Sequence, residues 1–159
     1  MADLDVVLSR IIGPGLELLP STMDSERARV MLLAIGLQES RFEHRRQIRG
    51  PARGFWQFER AGGVQGVLRH RSTAKLAAGV CAERGVPAGA TSVYSQLEHD
   101  DLLACAFARL LLWTDPQPLP APGYASASWQ YYLRTWRPGK PHRHTWDALY
   151  RQALQAVGA

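Results

Sequence analysis

Residues 25–39, SERARVMLLAIGLQE, have the strongest helical periodicity in the chain. At about 100° per residue, three apolar side chains lie within about 40° of Glu39 on one stripe of the predicted helix: Ala28, Leu32 and Ile35. The charged residues of the first turns lie about 80° to 140° away from that stripe. The stretch therefore predicts a helix whose apolar face, with Glu39 at its end, meets the core.

A carboxylate at the end of an apolar stripe is an unusual feature. Glu39 would be partly desolvated there, which raises the pKa of a carboxyl group and favours its neutral form. A neutral acid at pH 7 can protonate the leaving-group oxygen of a substrate. Two alternatives stay open from the pattern alone. The helix can end one residue earlier and leave Glu39 solvated, or Glu39 can pair with a nearby arginine.

The rest of the chain is predicted to be helical as well. Helical segments are expected at 3–12, 25–39, 67–84, 101–113, 126–136 and 145–157. Gly13-Pro14-Gly15 is expected to stop the first helix, and Thr145 to cap the last. Strand-type alternation is absent, so at most a small hairpin is expected within 42–66. The prediction is one all-α domain over residues 1–159.

Composition excludes several classes of protein. The chain has 159 residues, of which 46% are hydrophobic and 21% charged, unlike a disordered, collagen-like or coiled-coil sequence. The longest apolar stretch, Leu102–Trp113, is too short to span a bilayer. The N-terminus lacks the pattern of a secretory signal, so we expect no export signal of its own.

The charge is basic and unevenly distributed. The net charge is +5 with a pI of about 9.7, and seventeen of the nineteen basic residues are arginine. Eight arginines lie between Arg41 and Arg71, which suits an anionic polymer such as nucleic acid or a bacterial cell wall. Arginine can also act simply as a solubilising residue.

No metal site or cofactor is predicted. Cys81 and Cys105 form no CxxC motif and are expected to be buried free thiols, and His142-Arg143-His144 is expected to be solvated.

Two sequence blocks carry a family resemblance. Residues 34–59, AIGLQESRFEHRRQIRGPARGFWQFE, resemble the catalytic core of the lytic transglycosylase and goose-type lysozyme families. Glu39-Ser40 matches their Glu-Ser pair, and Gly54-Phe55-Trp56-Gln57 matches their Gly-Leu-Met-Gln block with aromatic residues in the middle. SWQYYLRTWRPGKP at 128–141 looks like the compact peptidoglycan-degrading proteins of bacteriophages.

The resemblance implies a lysozyme-like fold and a set of roles. Glu39 would be the general acid for the glycosidic oxygen and then the general base. Ser40 would position the scissile sugar or hydrogen-bond the Glu39 carboxyl, and Gln57 would line the cleft. A hydrolytic enzyme would need a second carboxylate or an activated water. Glu59 is the candidate for that carboxylate, with a surface ion pair to a neighbouring arginine as its alternative role.

One departure from the family concerns a tyrosine. An Ala-Tyr-Asn motif is usual on a later helix, but here that helix reads LLACAFARLLLW. Tyr131 and Tyr132 are the candidates to replace its tyrosine near Glu39. Trp56 is a candidate for stacking on a sugar ring, although core packing is an equally ordinary role for Trp56 and both tyrosines.

The function implied is cleavage of the MurNAc–GlcNAc bond of peptidoglycan during phage lysis or wall penetration. The protein is expected to be a monomer without cofactors. It would be made in the host cytoplasm and act at the cell wall, or travel in the virion. The alternatives are a non-catalytic wall-binding or virion structural protein, and an arginine-rich nucleic-acid-binding protein. The nucleic-acid-binding alternative is not supported by a helix-turn-helix or any other named binding motif.

Overall fold

The computed structural model describes residues 2–159, and the chain is all-α. Its α-helices are α1 (Leu4–Val7), α2 (Gly13–Leu16), α3 (Glu26–Ser40), α4 (Gln65–Arg69), α5 (Ala74–Arg84), α6 (Ala90–Gln96), α7 (Asp101–Trp113), α8 (Ala125–Trp136) and α9 (Arg143–Val157). Leu8–Ile12 and Arg60–Val64 are π-helical, and Ser21–Met23 is a 3-10 turn. No helix in the described part of the chain is both long and apolar enough to cross a membrane.

Helix α3 lies at the centre of the fold. Ser25 caps its start by accepting a hydrogen bond from the N–H of Ala28 at 3.1 Å. Residues 30–37 are all buried, so the second half of α3 is surrounded by protein rather than amphipathic. It packs chiefly on α9 and also on α7, which is the other deeply buried helix. The end of α3 is therefore held from several sides.

The first helical segment does not stop at Gly13-Pro14-Gly15, so that prediction was wrong. The N–H of Gly13 donates to the carbonyl of Leu8, five residues back, and the helical path continues through Leu16. The π-helical turn lets the helical path continue past Pro14, which has no backbone N–H to donate. A Cβ on Gly15 would lie 2.7 Å from the Cβ of Cys105, so glycine is what lets α2 approach α7 closely.

The later helices differ from their predicted bounds in three places. The segment 67–84 is interrupted between α4 and α5, where the hydroxyl of Thr73 donates to the carbonyl of Val67 at 2.6 Å. Helix α6 was not predicted. Helix α9 begins at Arg143 rather than Thr145, whose hydroxyl lies within hydrogen-bond distance of Gln38 and His142 instead of capping the helix.

The segment 42–66 is a folded loop. Two isolated antiparallel bridges pair Arg46 with Arg53 and Arg53 with Phe58, and no strand forms within the described residues. The small hairpin allowed by the sequence is thus reduced to these two bridges.

Ion pairs tie this loop to the segment around the start of α7. Arg45 Nε lies 2.8 Å from Asp101 Oδ1, and Arg46 Nη2 lies 2.9 Å from Glu98 Oε1. Part of the arginine excess in the 41–71 region therefore has a structural role.

One hydrophobic cluster extends from Val7 to Ala153 and includes α3, α7 and the inner faces of α8 and α9. Both cysteines, Cys81 and Cys105, are buried and free, as predicted.

Gly36 leaves the space into which the Phe42 ring packs after the chain reverses at the end of α3. A Cβ at this position would lie 2.1 Å from Phe42 Cζ, and Phe42 is buried. We expect Gly36→Ala to lower the free energy of unfolding by about 1–3 kcal/mol, because the core would be overpacked. Gly79→Ala, on an exposed face of α5 with open space around it, should instead raise it by about 0.5–1 kcal/mol. Denaturant unfolding measures the free energy of unfolding of both variants. Equal changes in the two variants would contradict the expected overpacking at Gly36.

Candidate active site

Glu39 lies in the last turn of α3, just before the chain reverses. Arg41 and Phe42 both have left-handed backbone angles, with φ of 58° and 53°. Ser40 holds this reversal in place. Its hydroxyl lies 2.7 Å from the carbonyl oxygen of Phe55 and accepts a hydrogen bond from the N–H of Phe42 at 3.1 Å. The turn thus joins the end of α3 to the Gly54–Gln57 segment.

Ser40 is consequently a positioning residue in this structure. It is 1% exposed, and its hydrogen bonds go to backbone atoms. It makes no hydrogen bond to the Glu39 carboxyl and presents no free surface to a sugar, so neither role suggested by the family resemblance is observed.

The carboxyl group of Glu39 is held by Tyr132 on α8. The Tyr132 hydroxyl donates to Glu39 Oε2 at 2.5 Å. The Tyr132 ring is stacked on Trp146 of α9, with an interplanar angle of 8° and centroids 5.4 Å apart. Because Tyr132 is itself buried, its hydroxyl has little freedom to move away from the carboxyl. The structure brings the predicted pair Glu39 and Tyr132 together.

The electrostatic state of Glu39 follows from its burial. Burial raises the pKa of Glu39 to about 7, and the hydrogen bond from Tyr132 opposes that rise. Burial and the neighbouring Glu39 charge raise the pKa of Tyr132, so its hydroxyl keeps its proton. Within residues 2–159, no ion pair involves Glu39. Neither alternative placement of Glu39, solvated or paired with arginine, is observed.

A groove of about 400 Å³ is lined in part by Trp136, a neighbour of Tyr132 on α8. One wall is formed by the chain from Gln57 to Gly66 and the other by the end of α8, with Leu111 and Thr114 of the α7 region between them. Glu39 does not itself line this groove. Tyr132, which donates to Glu39, does not line the groove either. Its ring packs on that of Trp136, 6.2 Å away from centroid to centroid, and Trp136 lines the groove.

Gln57 and Glu59 both line the groove. Gln57 has a left-handed φ of 54°, and its side-chain amide donates to the carbonyl of Gly54 at 2.9 Å. Glu59 is exposed and immediately precedes the π-helical segment Arg60–Val64.

Trp56 and Tyr131 are placed differently from the predicted site. Trp56 has no exposed surface, and its indole N–H donates to the carbonyl of Leu32 at 2.9 Å. It packs in the core and cannot stack on a sugar. The Tyr131 hydroxyl donates to the carbonyl of Leu112 at 2.9 Å and lies 3.0 Å from that of Gln117. Tyr131 thereby fastens α8 to the segment after α7, and makes no contact with Glu39.

Other residues of the groove were missed by the sequence reasoning. They include His70, Thr114, Thr135 and Arg137. The Trp136 indole N–H donates to the carbonyl of Trp56 at 2.9 Å, so one tryptophan supports the position of the other. Arg137 ends α8 with a left-handed φ of 48°. The RPG sequence at 137–139 signalled a helix end, but gave no sign that it borders a groove.

No family model, curated protein or solved structure matches this chain. In the described part of the chain, no cluster of three or more histidine, cysteine or acidic residues could hold a metal ion.

The hydrogen bond from Tyr132 should hold the pKa of Glu39 below the value that burial alone would give. We expect Tyr132→Phe to raise this pKa further above its present value of about 7, because the bond stabilises the ionised carboxylate. A ¹³C NMR titration of the Glu39 side-chain carboxyl measures it. Tyr131→Phe is the matched control and should leave the Glu39 titration unchanged. A fall in the pKa of Glu39 in Tyr132→Phe would contradict the proposed hydrogen bond.

The buried acid should also make stability depend on pH. The pKa of Glu39 is raised from 4.5 to about 7 on folding, so its neutral form contributes stability below pH 4.5 that is lost as pH rises to about 7. Glu39→Gln cannot ionise. We therefore expect its stability relative to wild type to improve by about 2–4 kcal/mol between pH 4.5 and pH 8. Urea unfolding at the two pH values measures the difference, and a constant difference would show that Glu39 is not buried as described.

Proposed function

We propose that this chain is a peptidoglycan-cleaving glycosidase of the lytic transglycosylase or lysozyme type, with Glu39 as its general acid and base. The observation that carries the proposal is a half-buried carboxyl whose pKa is about 7, held by a buried tyrosine at the end of a central helix. The Glu39-Ser40 and Gly54–Gln57 blocks add the family resemblance. In that family a tyrosine accompanies the catalytic glutamate, and Tyr132 supplies one here from a different sequence motif.

The chemistry requires a single group to act twice. Protonated Glu39 would donate its proton to the glycosidic oxygen as the bond from that oxygen to the MurNAc anomeric carbon breaks. Glu39, now a carboxylate, would next take a proton from the nucleophile that attacks this carbon. The nucleophile is the C6 hydroxyl of the same MurNAc in a transglycosylase and water in a muramidase. Tyr132 would stabilise the carboxylate between the two steps by its hydrogen bond.

The surroundings of Glu39 favour the transglycosylase reaction. Burial raises the pKa of Glu39, the hydrogen bond from Tyr132 lowers it, and no second carboxylate contributes. A reaction that closes a 1,6-anhydro ring needs one acid–base group, whereas hydrolysis needs a second group to orient water. Glu59 lines the groove but is exposed, which suits contact with substrate better than activation of water beside Glu39.

The alternative of a wall-binding protein without activity explains less. Keeping a carboxyl buried costs stability at neutral pH, and binding alone does not need such a group. The basic surface suits the anionic cell wall in either case. We propose phage lysis or wall penetration as the setting, with peptidoglycan as the partner.

Glu39→Gln tests the proposal directly. The amide keeps the shape of the side chain but cannot deliver a proton, so we expect cleavage to fall by about 10²–10⁴. Zymography on cell-wall gels and the clearing rate of purified peptidoglycan measure it. Glu26→Gln removes an exposed glutamate from the first turn of the same helix and should keep wild-type activity. An active Glu39→Gln protein would overturn the assignment.

Glu59→Gln separates the two reactions. We expect activity to stay within about tenfold of wild type, because the transglycosylase reaction needs one acid–base residue. Mass spectrometry of the released muropeptides should show anhydro products, which lack the added water. Reducing sugars as products, together with loss of cleavage in Glu59→Gln, would assign a muramidase instead.

A further inference from the structure

A second buried charged group lies on α7, away from Glu39. Arg109 is only 4% exposed. Its Nε–H donates to the carbonyl of Met23 at 2.8 Å, and its guanidinium lies 5.5 Å from the centroid of the Trp113 ring. In the region covered by residues 2–159, its two terminal nitrogens make no hydrogen bond to protein. These two nitrogens are not sealed from solvent, because in the described chain the buried side-chain nitrogen or oxygen without a hydrogen-bond partner is Ser128 Oγ.

Two acidic groups in this region form ion pairs with other arginines, although the Asp24 charge also interacts with Arg109 and partly offsets the effect of burial on its pKa. Asp24 binds Arg29 through both carboxylate oxygens, at 2.9 Å each. Asp115 lies 3.0 Å from Arg134. No carboxylate of the described chain lies within ion-pair distance of Arg109. Burial lowers the pKa of Arg109, which reflects the cost of keeping this charge away from water.

The unpaired guanidinium borders a cavity of about 550 Å³. Arg71 supplies a second positive charge to the same cavity, and Trp113, which is 43% exposed, supplies an aromatic wall. Tyr131 also lines it. Two arginines beside an aromatic ring suit a planar anion, because a guanidinium binds a carboxylate through parallel N–H donors.

The cavity adjoins the groove that Trp136 lines. His70 and Thr114 line both spaces, and the Asp115–Arg134 pair places one partner in each. A ligand lying in the groove could therefore extend a substituent past His70 towards Arg109. The N–H of Ser72 donates to His70 Nδ1 at 3.1 Å, so a neutral His70 carries its proton on Nε2 and can donate from there.

We propose that the Arg109 cavity binds a carboxylate on the peptide substituent of the glycan that occupies the groove. The identity of this ligand rests on the proposed function, since the lactyl group of MurNAc carries a peptide with free carboxylates. The enzyme would then distinguish peptide-bearing strands from bare glycan. The binding step itself needs no catalysis, so it is testable whether or not the chain cleaves peptidoglycan.

The test is an NMR titration with a small peptide. The Arg109 Nε–H is protected by its bond to Met23, and the Trp113 indole N–H provides a second signal beside the cavity. N-acetyl-L-alanyl-D-glutamic acid is added at constant ionic strength, with its diamide as the uncharged match. Acetate and inorganic phosphate are titrated separately. We expect saturable shifts of both signals with the dicarboxylic peptide and none with the diamide.

Three variants test whether these NMR shifts arise from peptide binding in the Arg109 cavity. Arg109→Met replaces an unpaired buried charge by an apolar side chain, a type of change that proteins often tolerate, and should abolish the peptide-induced shift of Trp113. Arg71→Gln should weaken binding by about three- to tenfold, as expected for one partly screened charge. Arg69→Gln removes an exposed arginine that lines neither space and should leave binding unchanged.

Two results would overturn the proposal. One is the absence of a shift at Arg109 and Trp113 in the folded wild-type protein with the dicarboxylic peptide. The other is an equal response to acetate or phosphate, which would show an unselective anion site rather than a peptide site. Loss of cleavage in Glu39→Gln together with no peptide binding would leave the proposed function standing and remove only this inference. Peptide binding without any cleavage would support this inference and overturn the proposed function.

Discussion

The hydrogen bond from Tyr132 to Glu39 joins the end of the central helix α3 to α8, and the arrangement around it depends on keeping that bond in place. Trp146 stacks on the Tyr132 ring and limits its movement. Ser40 holds the reversed chain that follows Glu39. Because the carboxyl is shielded from water on these sides, its pKa is raised to about 7. The proposed acid–base role requires a group that can both give up a proton and take one back.

Glu39 and Arg109 show the same physical constraint with opposite charges. Glu39 on α3 is half-buried and Arg109 on α7 is buried, and neither has an ion-pair partner in the part of the chain described. Burying such groups costs stability, and apolar replacements of buried charges are often neutral or stabilising. The proposed function and the proposed peptide site would account for both groups, since the Arg109 cavity adjoins the groove.

Much of the basic surface has a simpler explanation. Arg45 and Arg46 bind Asp101 and Glu98 and so fasten the loop after α3 to the segment around the start of α7. Arg134 binds Asp115 between the two spaces. A count of arginines in the sequence suggests an anionic partner, but several of these charges are neutralised within the fold. Those that remain available around the groove and cavity include Arg71 and Arg137.

The sequence by itself determined the helical class, the position of α3 and the placement of Glu39 on its apolar side, because helical periodicity is a local property. It also offered Tyr132 as one of two tyrosines. Tertiary structure decided between them, since neighbouring residues of α8 face different helices and only Tyr132 faces α3. It also placed Trp56 in the core and continued the first helix through Gly13-Pro14-Gly15, where a π-helical turn and the close approach of α7 outweigh local breaking signals. The Arg109 cavity could not be predicted from the sequence. Whether the Arg109 side chain is buried and borders a cavity depends on contacts between residues that are distant in the chain.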